Sequence, residues 1–112
     1  MWYFIAYMLF CYGKQELTVD ELWELHRKMY VRYKISFCEN VEVLKNYLRK
    51  LASLGFVVLQ DNKIIVHAEK LQKLIACMEE DSLLQDDQTY YLAYLWKRVQ
   101  QAMRELLAKI PG

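Results

Sequence analysis

The sequence predicts a mainly α-helical chain with one small β-hairpin, and three observations carry that expectation. The 112 residues include only three Gly and one Pro, too few punctuating residues for a loop-rich β architecture. Apolar residues recur at spacings of three and four through most of the chain, the repeat of a buried helix face. The rhythm changes in one place, residues 56–67, where two β-branched runs flank Asp61-Asn62. Those two residue types tolerate positive φ and suit a two-residue hairpin turn.

Each element follows in order. Residues 1–12, MWYFIAYMLFCY, carry no charge. They predict a helix apolar around its whole circumference, hence a buried one, closed by Gly13 in the left-handed conformation. Lys14 to Leu17 reads as a connection. Thr18 opens TVDE, a capping box in which Glu21 reaches back to the cap. Leu22, Leu25, His26, Met29 and Tyr33 then predict a second helix ending near Tyr33. Lys34 to Phe37 reads as a short extended piece. Residues 39–54 predict a third helix with Val43, Leu44, Tyr47, Leu48, Leu51 and Leu54 on one arc. Gly55 stops it. The hairpin follows, then a fourth helix from Ala68 to Glu80. A fifth, Thr89 to Lys109, has a stripe of Leu92, Leu95, Val99, Met103, Leu106 and Ile110.

Composition narrows the class. Apolar residues make up 55% and charged residues 26%, with net charge +1. That excludes a disordered tail and a uniformly basic nucleic-acid coat. Cys11, Cys38 and Cys77 form no CxxC pair. Reduced, mostly buried thiols are expected, which fits a cytoplasmic location. The first helix spans about 18 Å, short of a ~30 Å hydrocarbon core. It has no basic run before it and no small-residue cleavage site after it, so neither a leader nor a membrane anchor is expected. Charge is uneven: residues 26–50 hold seven basic residues against two acidic ones. A localised basic block attracts a polyanion without making the whole chain basic.

The order helix, helix, helix, hairpin forms a motif. Residues 43–67, VLKNYLRKLASLGFVVLQDNKIIVH, resemble the recognition helix and wing of winged helix-turn-helix transcription regulators. Leu48, Leu51, Leu54, Gly55, Phe56 and Val57 match the stretch that locks that helix to the core and turns into the wing. TVDELWEL, residues 18–25, is similar to the family's second helix. The resemblance covers about residues 1–67. The two appended helices are similar, more loosely, to those of small dimeric PadR-like regulators. Two segments are therefore expected: a winged helix-turn-helix domain at 1–67 and C-terminal dimerisation helices at 68–112.

The resemblance implies double-stranded DNA as partner, with helix three in the major groove. Arg49 could bond guanine and Asn46 adenine, each bidentately. Lys45 and Lys50 would hold phosphates and set register. Ser36 would cap helix three or touch a phosphate, and Lys63, just past the wing tip, would reach the backbone. The fifth helix, about 32 Å long, looks too long for so small a domain to cover. Leu92, Leu95, Trp96, Val99, Met103 and Leu106 are therefore expected to pair two copies, helped by Tyr90, Tyr91 and Tyr94. Half-sites would then lie about 34 Å apart. No catalytic constellation, cofactor loop or metal-ligand spacing stands out, so neither an enzyme nor a metal protein is expected. His26 falls on an apolar face and reads as a satisfied core histidine. The alternatives are a winged-helix protein-interaction module, or a DNA-binding role in plasmid partition or replication.

Overall fold

The structure, a computed structural model, describes residues 2–80 and 90–108, the side chains of 90–93 excepted. The order is α1 (Trp2–Tyr12), β1 (Glu16–Thr18), α2 (Val19–Tyr33), α3 (Val41–Ser53), β2 (Val57–Gln60), β3 (Lys63–Val66), α4 (Ala68–Glu80) and α5 (Tyr90–Ala108). The fold is thus mainly helical with a small antiparallel sheet, as the sequence predicts. Ile110 lies outside the described residues.

The sheet has three strands in the order β1-β3-β2. Residues 14–17, read as a connection, include most of the extra strand. Leu17 lies opposite Ile64 and both are buried. Three residues are too few to display a period of two, so this strand exists because the free edge of β3 supplies its partner. Across the other edge, Val57 faces Val66 and Gln60 faces Lys63. Asp61 takes the turn with φ 55°.

The caps explain where the helices begin and end. Thr18 Oγ1 accepts the Glu21 N–H at 3.0 Å, and Glu21 Oε1 accepts the Thr18 N–H at 3.3 Å. That is the capping box expected from TVDE. Lys34, expected to be extended, instead closes α2 in the left-handed conformation, its N–H donating to the Tyr30 carbonyl at 2.9 Å. α3 starts at Val41 rather than 39, because Asn40 is extended and its Oδ1 accepts the Val43 N–H at 3.1 Å. At the far end Gly55 takes φ 85°. There the Phe56 N–H reaches back to the Leu51 carbonyl at 3.0 Å, turning the chain into β2.

α1 is the centre of the core. Phe4 to Leu9 are six consecutive buried residues, as an all-apolar helix requires. α3, α4 and α5 pack against it, so both expected segments contribute to one core. Phe4 stacks on Phe37 at 4.9 Å, and Trp96 of α5 meets Tyr7 edge-on at 4.7 Å. Trp96, Val99, Met103 and Leu106 are buried against the rest of this single chain. Only Leu95 is left half-buried, and the side chain of Leu92 lies outside the described set. The nineteen helical residues of α5 extend about 29 Å, and the protein measures 40 × 29 × 28 Å. α5 therefore lies along the body and is covered by it.

The three cysteines are free thiols. Cys38 is buried and Cys11 partly so. Cys77 is exposed, because α4 turns Leu71, Ile75 and Met78 inward instead. No helix among the described residues is long and apolar enough to cross a membrane.

Candidate nucleic-acid interface

α3 is anchored through one face and offers the other. Leu44, Leu48 and Leu51 are buried, while Asn46, Arg49 and Lys50 are exposed and Lys45 is half-buried. This division follows directly from the leucine spacing, since residues three and four apart share a face. The four polar side chains named from the sequence therefore do share the outward side of one helix.

Their partners distinguish them. Asn46 Oδ1 accepts a hydrogen bond from the Arg49 guanidinium, which holds the two base-reading candidates side by side. Lys45 lies 3.5 Å from the Glu42 carboxylate, so part of its charge is neutralised in place. Lys50 forms no ion pair among the described residues. Lys45 and Arg49 also line a cleft of about 190 Å³ with Leu48, Val19, Leu59 and Asp61. α3, the start of α2 and the hairpin meet there.

The hairpin is pulled in, not extended. The Val19 N–H donates to the Asn62 carbonyl at 2.8 Å, and Asn62 Nδ2 donates to Asp20 Oδ2 at 3.1 Å. Lys63, expected to be available to a phosphate, is 2.9 Å from Glu16 on β1. That pairing needs β1, a strand too short for the sequence pattern to predict.

Ser36 stands apart from α3's outward face. It is exposed and its hydroxyl donates to the Cys38 carbonyl at 3.2 Å. It does not cap α3, because Asn40 holds that position. An Asn just before an amphipathic run is a legible cap, so this residue could have been found from the sequence.

Basic residues before the turn are partly committed as well. Arg27 is paired with Glu24, and the Lys34 ammonium sits 5.7 Å from the centre of the Tyr30 ring. Arg98 of α5 donates to the Tyr33 carbonyl, and the Tyr33 hydroxyl bonds Glu105. These contacts join the end of α2 to α5 and fix the platform from which the turn departs. They link residues more than sixty positions apart, so no local sequence pattern reveals them.

The described residues contain no group of three or more side chains suited to hold a metal ion. Comparison of the chain with protein-family models, curated proteins and solved structures finds no match.

Proposed function

We propose that this chain is a winged helix-turn-helix protein that binds double-stranded DNA with α3 in the major groove and acts as a transcriptional regulator. One observation carries the reading: α3 is fixed to the core by Leu44, Leu48 and Leu51 while Asn46, Arg49 and Lys50 face outward together. A rigid helix with an amide and a guanidinium on its free face suits base edges. The helix–turn–helix–hairpin order and the basic block at 26–50 support the same reading. The wing contributes little in this proposal, since Lys63 is engaged by Glu16. A role in partition or replication would use the same surface.

The proposal includes a homodimer, which would form through a surface other than the residues of α5 buried in the single chain. Light scattering on the full chain reads the oligomeric state directly.

The test is fluorescence anisotropy with a random-sequence duplex across a salt series. A linear fall of log affinity with log salt counts the phosphates neutralised, at a slope of about −0.9 for each. Absence of binding at low salt overturns the proposal. The second reading, a protein-interaction module, is favoured by one feature: Glu42, Glu16 and Asp61 sit beside the basic groups of this face. The same titration separates the two.

A further inference from the structure

A second cleft, of about 420 Å³, lies between α2 and the α2–α3 turn and shares no residue with the first. α2 contributes Trp23, His26, Arg27 and Tyr30, which share one face of the helix, and the turn contributes Ser36 and Glu39. The volume falls in the lower part of the range for small-molecule sites. Trp23 is half-buried and stacks on His26, with ring centres 5.4 Å apart and planes 19° from parallel. Tyr30 is exposed two helical turns away, about 10.5 Å along the axis. A two-ring compound with a short side chain spans about that distance.

The charges select the kind of compound. The Arg27 guanidinium is bound by Glu24. His26 uses Nε2 as an acceptor for the Phe37 N–H and is therefore neutral. The Cys38 thiol at the cleft is pushed up to about 11 by burial and stays protonated. Glu39 is exposed and forms no ion pair among the described residues. The cleft thus has aromatic walls and one uncompensated negative charge. The Lys34 ammonium already lies 5.7 Å from the centre of the Tyr30 ring, so the positive group of a ligand belongs at the Glu39 side and only its ring at Tyr30.

We propose that this cleft binds a small aromatic cation, with its ring system between Trp23 and Tyr30 and its ammonium group beside Glu39. The inference goes beyond the DNA reading and is independent of it.

The test titrates the isotopically labelled full chain, without DNA, with tryptamine and separately with indole-3-acetate. These probes carry similar rings and opposite charges. The expected result is saturable NMR shifts at the Trp23 indole N–H and at the amides of Phe37 and Glu39. Tryptamine should bind at least about fivefold tighter than indole-3-acetate. Glu39→Gln, on an exposed turn position, should remove that preference, and Tyr30→Ala should weaken both probes. The proposal is overturned by the absence of saturable shifts with millimolar tryptamine, by shifts confined to other regions, by equal affinity for the two probes, or by a preference that survives Glu39→Gln.

Discussion

The backbone N–H of Phe37 donates to Nε2 of His26 at 2.9 Å, inside the core, and so ties α2 to the turn that precedes α3. Phe37 in turn stacks on Phe4 of α1. The position of α3 therefore depends on an imidazole that has to remain neutral to accept this bond.

Burial lowers the His26 pKa below its ordinary value. The unfolded chain therefore binds the extra proton more readily than the folded one. The stabilising contribution is present above the unfolded value of about 6.5 and is lost as pH falls below it towards the folded value. Urea unfolding should show declining stability from pH 7 to pH 5. In His26→Gln, which can accept the bond but cannot titrate, that decline should flatten. Glu21 and Glu24 have lowered carboxyl pKa values through Lys14 and Arg27 respectively. Their loss of stability falls at lower pH and should persist in the variant. An unchanged decline between pH 7 and 5 would remove His26 as its source.

Trp96 is 2% exposed and packs between Phe4 and Tyr7. Trp96→Ala should destabilise the fold by about 3–5 kcal/mol, read as a lower denaturation midpoint. Light scattering before unfolding should give the same mass as the wild type. A variant of wild-type stability that changes its oligomeric state would place Trp96 at an interface between copies instead.

Thr18 and Asn40 cap the starts of α2 and α3 respectively. Thr18→Ala and Asn40→Ala should each cost about 1 kcal/mol, while Thr18→Ser should cost much less. Because the two caps share no partner, the double variant should lose close to the sum of both. Thermal melts of the four variants measure this.

Arg49 and Lys50 should separate in DNA binding. Arg49→Ala should lose about 1–3 kcal/mol of discrimination at one base position. Lys50→Ala should weaken all sequences and reduce the salt slope by about one. Competition between selected and scrambled duplexes, each across a salt series, distinguishes the two effects.

Lys63 offers a contrast. Its ammonium is held by Glu16, so Lys63→Ala should change duplex affinity little. Glu16→Gln frees that ammonium and removes a negative charge, and it should raise affinity at low salt. A large loss on Lys63→Ala would mean that the pair opens to admit a phosphate.

The sequence by itself determined the helices, the hairpin turn and the outward face of α3, because each rests on contacts within a few positions. Thr18 meets Glu21, Leu44 shares a face with Leu48 and Leu51, and Asp61-Asn62 joins two adjacent strands. The apolar run of α1 likewise required burial wherever it lay. The tertiary structure decided what meets across long separations. Pairing of Leu17 with Ile64 made a strand of a segment too short to show a period, and it brought Glu16 to Lys63. The apolar stripe of α5 was legible, but a stripe records only that something covers it. Here Phe4 and Tyr7 of the same chain, about ninety residues away, cover Trp96, and α1 and α2 both pack against α5, because α1 needed neighbours on all sides and α5 was long enough to supply one of them.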